Sequence, residues 1–203
     1  MTIETFLNDP LNSYLLYHPA EREDILIAAP HHAPVNVPTL PCETHPVSDE
    51  NTGWIAYHLS RKLSCGCLIA GNYFLDPNKH RTTDYYKKIE ALQPKILIEI
   101  HAQGSGAANF DIEISCGSRE KSHLSQKMAD ELTLAFAHDS NMSTYRISGD
   151  FDAIHFKATK SVTINTNEWI AFHIELPQKL RENKEQYLTF CEELGNLLLQ
   201  GLI

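Results

Sequence analysis

The sequence predicts an α/β fold, a three-layer sandwich on a mixed, largely parallel central sheet. Six short runs rich in Ile, Val, Leu or Phe are bounded by turn residues. Between them lie longer stretches with apolar residues at helical spacing, and such alternation builds a sheet covered by helices. The length, 203 residues, suits one domain with a sizeable core. Pro and Gly are scattered rather than gathered into a linker, so residues 1–203 read as a single domain.

The strand candidates are residues 25–29, 67–71, 96–100, 110–116, 161–165 and 170–176. The first run stops at Pro30, and a proline-containing loop is expected over 30–49. A helix is expected over 50–63, where Ile55, Leu59 and Leu63 share one face and Ser48 or Asp49 can cap it. Further helices are expected over 83–92 and 118–138. A last one, over 177–199, has Leu180, Tyr187, Cys191, Leu194 and Leu198 as its inner stripe.

The net charge of −9 argues against a nucleic-acid partner, since neutralising phosphates needs a basic patch. No apolar run approaches the ~20 residues of a membrane span, so no membrane partner is expected either. The start, "MTIETFLNDP", lacks a basic segment and a long apolar core, so no secretory signal is expected. The five cysteines (Cys42, Cys65, Cys67, Cys116 and Cys191) are an odd number and are read as reduced thiols of a cytoplasmic protein. The "CGC" at 65–67 has no second cysteine pair to complete a structural zinc site, and reads as a turn entering a strand.

Ligands of α/β sheets bind beyond the carboxyl ends of the strands, and three such ends carry reactive groups. His31 and His32 follow the run at 25–29. His101 follows the run at 96–100, before a glycine-containing loop. Glu175 lies inside the apolar strand "IAFHIELP". The acid pair Asp49 and Glu50 sits at a predicted helix start. Hydrolytic zinc sites often use two histidines and a glutamate and leave a position for water, with a separate carboxylate as base. Each group also has an ordinary explanation: a histidine after a strand can be a loop residue, Glu50 suits a helix dipole, and Glu175 can pair with a cation.

In order and spacing, these segments resemble the N-formylglutamate amidohydrolase family, whose fold and metal site are similar to those of zinc carboxypeptidases and aspartoacylases. "PHHAP" resembles its first histidine motif, "SDENTGWIAYHLSRKL" its acidic residue and following helix, and "LDPNKH" its Asp-Leu-Asn-Arg motif. "ILIEIHAQGS" resembles its second histidine strand; "FDIEISCG" and "AFHIELPQKLRE" resemble its later strands. The likeness runs from about residue 25 to 182. It implies a zinc-carboxypeptidase-like fold and a Zn2+ ion held by His31, Glu50 (with Asp49 as the alternative) and His101. It implies Glu175 as general base and Asn78 and Lys79 as the grip on a substrate carboxylate. Lysine stands where the family has arginine, so a bidentate contact is lost, and Arg81 is a candidate replacement. Arg81 and Arg146 are candidates for a cation near the reacting oxygen, and His155 reads as a plain loop residue, with a cavity lining as the alternative.

The expected function is zinc-dependent hydrolysis of an N-acyl amino acid, such as N-formylglutamate, or a related small acidic amide. The partner is then a small-molecule substrate with a carboxylate. The alternatives are a carboxypeptidase-like peptidase and a non-catalytic relative that binds metal or ligand. A serine nucleophile is not expected, since "GSG" at 104–106 lacks the Gly-x-Ser-x-Gly elbow.

Overall fold

A computed structural model describes residues 2–104 and 106–201. Its strands are β1 (Tyr14–His18), β2 (Arg22–Ala33), β3 (Asp49–Glu50), β4 (Cys65–Gly71), β5 (Ile96–Ala102), β6 (Ile112–Ser115), β7 (Ile147–Ser148) and β8 (Ile170–Leu176). Its helices are α1 (Ile3–Leu7), α2 (Thr52–Leu63), α3 (Asp84–Leu92), α4 (Ser122–Phe136), α5 (Gln178–Glu182) and α6 (Lys184–Leu199). The strands form one sheet in the order β1-β4-β2-β5-β8-β6-β7, with β3 paired to the end of β2. The central run β4-β2-β5-β8 is parallel. β1 on β4 and β6 on β8 are antiparallel. The sandwich with a mixed, largely parallel sheet is therefore what the alternation of patterns predicts.

Period-two alternation sorts each strand between two faces. Ile25, Ile27 and Ala29 of β2, Ile98 and Ile100 of β5, and Phe172 and Ile174 of β8 pack under α2, α4 and α6. Each of these helices supplies an apolar face at helical spacing, such as Ile55, Leu59 and Leu63 of α2. The other face holds a smaller core of Leu26 and Ala28, Leu97, Ala171, and Tyr85, Tyr86 and Ile89 of α3. That second core ends halfway along the strands. Beyond Leu97 the same face of β5 carries Glu99 and His101, and beyond Ala171 the same face of β8 carries His173 and Glu175, all buried. One face thus changes from apolar to ionisable toward the carboxyl ends.

Several elements differ from the sequence reading. β2 does not stop at Pro30: it runs to Ala33, with a register shift between Ala29 and His32. A bulge is where a strand tolerates proline, which has no N–H for the ladder. β1 is an additional edge strand. Residues 161–165 form turns instead of a strand, with Ser161, Thr163 and Trp169 bonded locally. The stretch over 118–138 begins as a 3-10 turn, Arg119–Lys121. The last helix is broken at Asn183, whose side chain accepts from the N–H groups of Glu185 and Gln186 and so starts α6 anew.

Candidate metal centre and active site

Four strand ends meet at one cavity of about 390 Å³ at the carboxyl edge of the sheet. β2 brings His31, β3 brings Asp49, β5 brings His101 and β8 brings His173 and Glu175. The parallel register sets His101 beside Glu175 and Glu99 beside His173. Asp49 pairs with His32 across the short β2–β3 bridge, which places it next to His31.

The two histidines turn the same ring atom inward. His31 Nδ1 lies 3.3 Å and His101 Nδ1 3.1 Å from Asp49 Oδ2. The outer nitrogens meet other carboxylates: His31 Nε2 lies 3.1 Å from Asp76 Oδ1, and His101 Nε2 3.3 Å from Glu99 Oε2. Glu99 is steadied in turn by the Tyr85 hydroxyl at 2.8 Å and the Asn78 amide at 3.3 Å. The His173 ring lies tilted against that of His101, with ring centroids 4.1 Å apart, and its Nε2 lies 3.3 Å from Glu175 Oε1. His45 stacks on His31 at 3.9 Å.

These contacts settle charges. Burial opposes a charge on His101, but the hydrogen bonds to Asp49 and Glu99 outweigh it and push the ring up to about 10. His31 is raised in the same sense, against burial, by Asp49 and Asp76. Asp49 is held well below its ordinary value by the two rings, again against burial. Glu175 goes the other way: burial raises it well above the usual range, with the charges of Asp49 and Glu113 adding to the effect. Burial and the His101 charge hold His173 well below its ordinary value. Burial and His31 bring His45 down to about 4, so that ring is neutral.

The donor set fits a metal ion. A neutral imidazole carries one proton, yet each of these rings faces a carboxylate on both nitrogens, so a second proton or a cation must fill each inner gap. Two ligands each bonded at 2.0–2.2 Å in tetrahedral geometry lie about 3.4 Å apart, close to the separations found here. A carboxylate behind each metal-binding histidine fixes its tautomer and orientation, and such partners are usual for metal ligands. Four residues that line this cavity each have a buried side-chain atom without a hydrogen-bond partner: His45 Nε2, Asn78 Oδ1, His173 Nδ1 and Glu175 Oε2. A His31, Asp49 and His101 cluster of this kind could hold a metal ion.

The structure gathers His31, His101, Glu175, Asn78 and Lys79 at the cavity. It does not gather Glu50. Neighbouring strand residues point to opposite sides, so with Asp49 turned inward Glu50 turns away, and its carbonyl accepts from the Arg181 guanidinium. Arg81 is also outside the site: it is exposed, pairs with Glu168 at 3.3 Å and lies over the Tyr86 ring. Arg146 is likewise held away, by Asp111 at 3.2 Å. Lys79 bears on the cluster, and its charge lowers both Asp76 and His173; Lys157 also lines the cavity. His155 does line the cavity.

Sequence reading gave no site role to Asp76, Glu99 or His45, and placed His173 only on the face it shares with Glu175. Glu99 and His173 both had a signal. "Glu-x-His" at 99–101 and "His-x-Glu" at 173–175 are i, i+2 pairs on neighbouring strands, so both members of each pair share the site face.

Comparison with protein-family profiles gives no match, and no curated protein matches the chain. Solved structures do. An N-formylglutamate amidohydrolase from Ralstonia eutropha JMP134 is 12% identical with a TM-score of 0.55, over 93% of this chain and 96% of the other. A bacteriophage poly-gamma-glutamate hydrolase is 9% identical with a TM-score of 0.55, over 99% and 96%. YNDL in its zinc-free apo form is 13% identical with a TM-score of 0.57, over 97% and 94%. The likeness is one of fold, and it extends over nearly the whole chain.

Proposed function

We propose that this protein is a zinc-dependent hydrolase that cleaves the amide bond of a small substrate bearing a carboxylate, such as an N-acyl amino acid or a glutamyl amide. One observation carries the reading. Two histidine Nδ1 atoms and Asp49 Oδ2 converge, each histidine is backed by a second carboxylate, and Glu175 stands beside them in register with His101. Two of the proteins similar in fold, an N-formylglutamate amidohydrolase and a poly-gamma-glutamate hydrolase, are named for hydrolysis of glutamate derivatives, which supports both the reaction and the acidic substrate.

His31, Asp49 and His101 would hold the ion. Zinc bound there would supply Lewis acidity and lower the pKa of bound water toward ~7. Glu175 accepts a proton from the attacking water at its free oxygen and later delivers it to the leaving nitrogen. Burial raises Glu175 above its ordinary range, and a cation bound beside it would favour the carboxylate form that a base needs. Lys79 attracts the substrate carboxylate as a point charge. Asn78 has its amide nitrogen on Glu99 and its Oδ1 free, so it can accept a hydrogen bond from the substrate while fixing the support of His101.

The test is metal analysis of the purified protein together with hydrolysis assays on N-formylglutamate, N-acetyl amino acids and γ-glutamyl amides. About one zinc per chain and chelator-sensitive hydrolysis of at least one acidic amide are expected. Stoichiometric zinc with no turnover of any of them would sink the hydrolase reading and leave a metal-binding relative. Turnover of peptides alone would favour the peptidase.

A further inference from the structure

Glu113 is fully buried on β6, directly opposite Glu175 on β8. Like charges placed opposite each other on paired strands repel, so a carboxylate here needs compensation. It comes from backbone alone. Oε1 accepts from the N–H groups of Asn109 at 2.7 Å and Phe110 at 3.2 Å, and Oε2 from those of His155 and Phe156, each at 2.8 Å. Four donors match the roughly four lone-pair sites of a carboxylate.

The donors lie in two irregular segments far apart in sequence. His155 and Phe156 form one wall of the cavity, with their rings edge to face at 4.8 Å. The segment is tied at further points: Asn109 Nδ2 donates to the Ala153 carbonyl at 2.9 Å, and Ser115 Oγ to the Lys157 carbonyl at 2.7 Å. No strand or helix includes residues 149–169, so side chains from β6 and its preceding turn do the work a strand ladder would do.

We infer that Glu113 is a positioning residue for substrate binding: its carboxylate clamps the wall formed by His155 and Phe156 to the turn at Asn109 and Phe110, and so fixes the cleft beside Glu175. The inference rests on the hydrolase reading for its substrate. Glu113→Gln is the probe, because an amide keeps one oxygen and turns an NH2 group toward two of the four N–H donors. Two charge-assisted bonds are lost at the wall or at the turn, each of a size that changes an equilibrium by about tenfold or more.

The experiment joins amide hydrogen exchange with steady-state kinetics on the zinc-loaded full chain, using Asn183→Ala as a control destabilised elsewhere. In the unaltered chain the amides of residues 155 and 156 should exchange as slowly as those of β6, although they lie in no strand. In Glu113→Gln, exchange at 109, 110, 155 and 156 should rise about tenfold more than in β5 or β8, KM should rise about tenfold, and kcat should change far less. Zinc content should stay unchanged. Fast exchange at 155 and 156 in the unaltered chain overturns the clamp, even if the variant does not fold. A variant that behaves like Asn183→Ala, with exchange raised uniformly and KM unmoved, makes Glu113 merely structural and overturns it too. Absence of hydrolysis by the unaltered protein would defeat the hydrolase reading instead, and the exchange data would still decide the clamp.

Discussion

Asp49 and Glu50 are adjacent acids, and only one of them faces the histidines. Asp49→Asn should reduce zinc affinity at least ~10-fold, since it removes the ligand charge, whereas Glu50→Gln should leave zinc content unchanged. Metal titration of both variants reads this, and loss of zinc in Glu50→Gln alone would reverse the assignment. Glu175→Gln should keep the metal and the fold but lose hydrolysis by at least ~100-fold, the low end for removal of a general base. Retained turnover with bound zinc would remove Glu175 from the mechanism, and loss of zinc would make it a ligand. The sequence could point to the acid pair but not choose within it, because that depends on a two-residue strand whose pairing with His32 and Ala33 is set by tertiary contact. His45 had no local signal, and Asp76 only its place in "LDPNKH": both come from loops that only the folded chain brings to His31.

Elements with a strong period were readable. β5, β8 and α2 show period-two or helical alternation, and they form within a few residues of the expected bounds. Failures came where punctuation outweighed pattern or the reverse. Pro30 looked like a stop, yet a bulge carries β2 through it and so aims His31 inward. Asn183 looked like an interior helix residue, yet it is the cap that separates α5 from α6. Asn183→Ala removes acceptors for two N–H groups and should cost about 1 kcal/mol, lowering the melting temperature by about 2–4 °C. Thermal denaturation of the two proteins side by side checks it; an unchanged midpoint would mean that water serves the cap equally well.

For the molecule as a whole, the proposed zinc would compete with a proton at His101. His101 is pushed up to about 10 from 6.5 when its inner nitrogen is protonated. A group raised on folding adds stability that is full below its unfolded value and fades as the pH climbs through its folded one. Chelated protein should therefore lose stability between pH 6.5 and about 10 on account of His101, while the zinc-loaded protein, whose Nδ1 bears no proton, should not. Melting curves across that range with and without chelator separate the two. Zinc uptake at neutral pH should also release protons, measurable by calorimetry in buffers of different ionisation enthalpy. No helix among the described residues is long and apolar enough to cross a membrane.

The sheet face that turns from apolar to ionisable halfway along β5 and β8 has an evolutionary cost. Its outer half holds buried carboxylates and orphaned polar atoms where Leu or Ile would pack, so chemistry and thermal robustness pull this half in opposite directions. Selection for heat tolerance alone, with catalysis unguarded, should erase the site first. Glu175→Leu is the simplest such step: with metal removed, the variant should melt above the unaltered chain by the equivalent of about 1 kcal/mol or more, while catalysing nothing. A lower melting point would show that the carboxyl is held by its surroundings more favourably than its unpartnered oxygen suggests.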